Sequence, residues 1–124
     1  MKTKQQIFDC FYNSLNGRGR AVDIWDSCRY FVEGHPGCAI GCQPEFVEEA
    51  RKLGKEGPQL NSLTSVHCST ETNEICKKAF PGIDLDFLSE LQYLHDSPAS
   101  WTGDCLNECS ARLFCLKHEI VSPV

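Results

Sequence analysis

The sequence has no apolar run approaching the roughly 18 residues that a membrane-spanning helix needs. It has no glycine-rich phosphate loop, internal repeat or low-complexity tract. The opening Met-Lys-Thr-Lys-Gln-Gln has neither the apolar stretch nor the small-residue cleavage site of a secretion signal. Basic charge is also scarce. Twelve Lys and Arg stand against seventeen Asp and Glu, for a net charge of −5. Nucleic-acid affinity rests largely on Lys and Arg neutralising phosphates, so that balance speaks against a direct nucleic-acid binder. It leaves room for an acidic protein that meets a basic surface on a partner.

Cysteine, by contrast, is abundant: nine in 124 residues. A disulfide framework would suit a secreted chain, but the opening residues and the odd count point instead to a reducing, cytoplasmic setting. There, clustered thiols mean metal binding, reactive chemistry or burial. The hydrophobic fraction of 41% and charged fraction of 23% fit one globular domain over 1–124, long enough to bury a core without a metal or disulfide.

The patterning predicts an α+β, mainly α fold. Ile7, Phe8, Phe11, Tyr12 and Leu15 form one stripe at helical spacing, so Lys4 to Leu15 is read as a helix. Arg29-Tyr30-Phe31-Val32, the turn Glu33 to Gly37 and the returning Cys38-Ala39-Ile40 predict a small β-hairpin within 28–42. Pro44 suits a first helical position, and the acidic-then-basic order to Lys52 matches the helix dipole. Residues 55–66 read as a loop. Glu71 to Phe80 is expected to be a helix, and so is Leu85 to His95, capped by Asp84. The last helix is expected over about 103–118, with Leu106, Cys109, Leu113, Leu116 and Ile120 inward.

The densest chemistry is Cys28, His35, Cys38 and Cys42. Thiolate and imidazole are the ligands zinc prefers, and four complete a tetrahedral site. If residues 38–42 were extended, their ends would lie roughly 13 Å apart at ~3.3 Å per residue. A shared metal therefore requires a turn at Gly41. Burial of the thiols as small apolar groups is the plain alternative. A third reading makes Cys42 a nucleophile at the start of the Pro44 helix, with His95 or His35 as base and Asp96 as orienter, in a thiol hydrolase or transferase. His95 lies on the apolar stripe of its helix, where a core histidine is the default. It also competes with His35 to complete a site with Cys28, Cys38 and Cys42. Cys105 and Cys109, four apart, read as packing. Trp101 is expected to anchor the last loop on the core.

These residues also carry a resemblance. Cys28-Arg29-Tyr30, Gly37-Cys38-Ala39-Ile40-Gly41-Cys42, Leu91-Gln92-Tyr93-Leu94-His95-Asp96 and Trp101 match, in order and spacing, a family of small proteins encoded by phages and prophage-bearing bacteria. The chain departs from that pattern at Gln43-Pro44-Glu45, at His35-Pro36, across about 55–80 and in Cys105, Cys109 and Cys115. The resemblance implies that Cys28, Cys38, Cys42 and His95 belong together, and it brings no activity with it. The function expected is a small accessory protein that contacts a host or phage protein, with inhibition of a bacterial defence system as one version. A cysteine-dependent enzyme and a zinc-stapled module are the alternatives.

Overall fold

The computed structural model describes residues 1–124. Five helices dominate: α1 (Lys4–Leu15), α2 (Pro44–Lys52), α3 (Thr70–Ala79), α4 (Leu85–Asp96) and α5 (Glu108–Lys117). The strands β1 (Trp101–Thr102) and β2 (Cys105–Leu106) make one antiparallel hairpin, so the fold is α+β and mainly α. No helix is long and apolar enough to cross a membrane.

Local chemistry sets the helix starts. The Thr3 hydroxyl accepts from the Gln6 N–H while the Gln6 side chain accepts from the Thr3 N–H, a reciprocal cap for α1. Ser69, Asp84 and Asn107 cap α3, α4 and α5 through single side-chain oxygens. Ile7, Phe8, Phe11 and Leu15 of α1 are fully buried. Phe8 stacks on Phe114 of α5 at 5.5 Å between ring centroids, and Phe114 meets Phe87 of α4 at 5.6 Å. Such aromatic pairs add to the burial of their surface. On the far side α2 packs on α3, and Tyr30 stacks on Phe46 of α2.

Several expectations are corrected here. No hairpin forms within 28–42; only isolated bridges join Val22 to Cys28 and Val32 to His35. The chain from 38 coils instead, with Cys42 N–H on the Cys38 carbonyl and Gln43 N–H on that of Ile40. Gly37 and Gly41 let the Tyr30 carbonyl sit against this coil. A Cβ on either would meet that oxygen at 2.6 or 2.3 Å. The backbone of Phe31 pairs with the Asn61 side chain, which both accepts from its N–H and donates to its carbonyl at 2.9 Å. One amide side chain replaces the partner strand.

The last helix starts later than expected, because the β1–β2 hairpin occupies 101–106. Its buried face is Ala111, Phe114 and Cys115, and Leu113 and Leu116 are 61% and 76% exposed. Phe114 wins the inward position because its ring fills the space between Phe8 and Phe87. Residues 55–66 also contain a 3₁₀ helix, Gly57–Ser62.

Candidate functional site

The C-terminal end of α4 gathers the first cluster. Its last carbonyls lack helical partners and need donors from elsewhere. The Trp101 indole N–H donates to the His95 carbonyl at 2.9 Å, anchoring the following loop as expected. The Arg20 guanidinium donates to the Asp96 carbonyl at 3.3 Å, a cation at the negative end of the helix. That guanidinium also lies 3.7 Å from the Cys28 sulfur. One ligand atom each from Cys28, His95 and Asp96 lies within 4.8 Å of the others.

His95 is wholly buried. Its Nε2 accepts the Ala21 backbone N–H at 2.9 Å, which leaves Nδ1 to donate to Asp96 Oδ1 at 2.7 Å. The same carboxylate oxygen accepts from the Gln92 amide at 3.0 Å. The imidazole thus bridges the segment before Cys28 to the end of α4, the role of a satisfied core histidine. A metal taking Nε2 would leave the Ala21 N–H without its acceptor. A metal taking Nδ1 would move the ring proton to Nε2, facing that same donor. An orphaned buried N–H costs about 1–3 kcal/mol. Burial, then the Asp96 carboxylate, push the Cys28 thiol up to about 11, so Cys28 stands as a thiol rather than a thiolate.

The other expected ligands stand elsewhere. Cys38 is fully buried, its sulfur accepts the Gly41 N–H at 3.2 Å, and burial raises its thiol to about 12. The chain does turn at Gly41, yet Cys42 finds its partners in Ala39, Gln43 and Cys10 and does not join the Cys28 group. The Cys42 thiol donates to the Ala39 carbonyl at 3.4 Å, and the Cys42 carbonyl accepts from the Cys10 thiol at 3.9 Å. His35 accepts the Gly37 N–H on Nδ1 and donates from Nε2 to the Gly19 carbonyl at 3.1 Å. Its burial depresses its basicity. His35 is spent on two backbone groups and His95 on the Ala21 N–H and the Asp96 carboxylate, and the Cys42 thiol is held protonated by its Cys10 partner and by burial. A Cys42–His nucleophile pair is not assembled.

Three features were not legible in the spacing. Cys10, on α1, reaches Cys42 in the turn before α2, 32 residues away. Arg20 belongs to the Cys28 group. The third is the loop 23–27. Asp23 Oδ1 accepts the N–H groups of Trp25 and Ser27 at 2.8 and 3.0 Å, and Arg29 Nε donates to Oδ2 at 2.8 Å. The Ser27 N–H, with help from Arg29, holds the Asp23 carboxyl below the usual range. Asp26 adopts φ 61°, closing the turn. This frame holds Ile24 89% and Trp25 78% exposed beside a cleft of about 510 Å³ that Phe31 and Val32 also line. The sequence sign was an apolar pair set between two aspartates.

Comparison with protein-family models, curated proteins and solved structures finds no match for this chain.

Proposed function

We propose that the chain is a small binding protein, of phage derivation, that acts by docking loop 23–27 onto a host protein. The observation that carries this reading is the frame around Asp23, which holds Ile24 and Trp25 out in solvent. Exposed Trp is costly to maintain without a use, and rigid aromatic anchors dominate protein interfaces because little entropy is lost when they dock. The acidic charge suits a basic rim on the partner. Inhibition of a bacterial defence system is the version suggested by the phage resemblance. The test compares wild type with Ile24→Ser/Trp25→Ser as bait in a host bacterium, with circular dichroism to show that both fold alike. A host protein held by wild type should bind the variant at least about 30-fold more weakly, the cost of a lost hot spot. Equal binding would place the interface elsewhere and sink this reading.

The second reading is zinc on Cys28, His95 and Asp96, favoured by the convergence of their ligand atoms within 4.8 Å. It has against it the Ala21 hydrogen bond that a metal would displace. A zinc-dependent rise in Tm that requires Asp96 would support it.

A further inference from the structure

A second pair of sulfurs lies apart from the end of α4. Cys10, midway along α1, donates its thiol to the Cys42 carbonyl at 3.9 Å, which sets the two cysteine side chains against each other. Cys42 is fixed from two sides. Its thiol donates to the Ala39 carbonyl, and the Gln43 amide lies 3.8 Å from its sulfur. Gln43 is itself wholly buried and donates to the carbonyls of Ile7 and Ala39 at 2.9 and 3.1 Å. The Lys2 ammonium is tethered beside the pair by Gln43 Oε1 at 2.7 Å and Glu45 at 2.9 Å. Cys10 remains half-buried and open to a small reagent.

We propose that Cys10 and Cys42 are an oxidisable pair, in which Cys10 first attacks a small hydroperoxide and Cys42 then closes a disulfide to it. The surroundings fit those roles. Once Cys10 ionises, the Cys42 thiol can turn from the Ala39 carbonyl to donate to it, and this draws the Cys10 thiol down to about 6. Burial and the Glu45 carboxylate oppose this, and the Lys2 ammonium and Ser14 assist it. Cys42 is pushed above the ordinary thiol range by the same contact and by burial, which suits a resolving thiol that reacts second. In the first step the Cys10 thiolate attacks one peroxide oxygen. An S–O bond forms, the O–O bond breaks, and the departing oxygen leaves as water or an alcohol after taking a proton. In the second step the Cys42 sulfur attacks the Cys10 sulfenic acid and loses its own proton. The S–S bond forms, the S–O bond breaks and water leaves. The two thiols together give up two electrons and two protons, and the hydroperoxide is reduced. The product would staple α1 to the turn that enters α2.

The test treats the intact protein with a small excess of hydrogen peroxide at pH 7 and maps peptides by mass spectrometry. The expected product is a Cys10–Cys42 linked peptide, two hydrogens lighter and reversed by a thiol reductant. In Cys42→Ser the reaction should stop at a Cys10 sulfenic acid trapped by dimedone. Before any oxidant is added, iodoacetamide should label Cys10 of wild type at least about 100-fold faster than Cys28, because the thiolate is the nucleophile. That measurement needs no variant to fold. Cys10 staying reduced while the exposed Cys68, Cys105 and Cys109 oxidise would overturn the proposal. So would equal dimedone trapping in wild type and Cys42→Ser, or labelling of Cys10 no faster than that of Cys28.

Discussion

Two thiols of this chain, Cys28 and Cys10, are both half-buried, and their surroundings drive them in opposite directions. Cys28 sits beside the Asp96 carboxylate and rises to about 11, although the Arg20 guanidinium lies 3.7 Å from its sulfur. Cys10 lies against a second thiol able to donate to its thiolate, has an ammonium nearby, and falls to about 6. Burial is similar, so the difference comes from the neighbours. A carboxylate opposes a second negative charge, whereas a donor and a cation stabilise it. Crowding of cysteines along the chain says little about which thiol ionises. Cys28, Cys38 and Cys42 lie within 15 residues of one another, yet the reactive candidate is Cys10, outside that cluster.

The largest way to break the comparison is to remove the histidine behind Cys28. His95→Ala orphans the Ala21 N–H and the Asp96 contact and leaves a void at a wholly buried position. The expected loss is about 4 kcal/mol in a denaturant titration, an orphaned donor plus a cavity. Iodoacetamide labelling of Cys10 in the folded variant should be unchanged, since its neighbours are Cys42, Lys2, Ser14 and Glu45 rather than His95. A loss below about 1 kcal/mol would mean that the imidazole is not the tie described here.

Alkaline pH sharpens the contrast between enclosed thiols and Cys10. Burial raises Cys38 and Cys76 to about 12, from an ordinary value of 9.0. Folded pKa values above the unfolded one mean that their stability is complete below pH 9 and is lost as pH climbs toward 12. Each such thiol should cost about 1.4 kcal/mol per pH unit across that window, because the unfolded chain releases a proton that the folded chain keeps. Cys10 has the opposite sign. Its folded value lies below 9.0, so its contribution is present above pH 9 and fades as pH falls toward 6. Denaturant midpoints between pH 9 and 11 should therefore fall more steeply for wild type than for Cys38→Ala, while Cys10→Ser should follow the wild-type slope. Parallel curves for wild type and Cys38→Ala would refute the assignment.

The helices were legible because their signals are local. Capping residues, the stripe of α1 and the charge order of α2 each act within a few residues. The expected hairpin failed for a reason no window of sequence contains. Asn61, 30 residues on, satisfies the Phe31 backbone in place of a strand, and Gly37 and Gly41 admit the Tyr30 carbonyl. The inward face of α5 failed because Phe114 is chosen by rings on α1 and α4. The candidate site divides the same way. His95-Asp96 was visible as an adjacent pair on a predicted helix, and its link to Cys28 follows from the chain passing Ala21 and Arg20. Cys10 with Cys42 was not visible, since no spacing rule connects a mid-helix thiol to one 32 residues later.

The smallest change tests the Cys28 side most finely. Asp96→Asn keeps an oxygen that can accept from His95 Nδ1 and from Gln92, so the hydrogen-bonded tie at the end of α4 is preserved. Stability should change by less than about 1 kcal/mol, the range of a single neutral exchange of hydrogen-bond partners. The negative charge beside Cys28 disappears. Its thiol, followed by ultraviolet thiolate absorbance against a Cys28→Ser control, should titrate below about 11 yet still above 9.0, because burial is the larger of the two causes. A titration unchanged by the substitution would remove Asp96 from the account of Cys28. Added zinc completes the experiment. A Tm rise in wild type that Asp96→Asn loses would assign the group to a metal, since an amide oxygen is a far poorer zinc ligand than a carboxylate. Melting curves unmoved by zinc in both proteins would leave His95 as a structural bridge and Cys28 as a thiol held neutral by the carboxylate beside it.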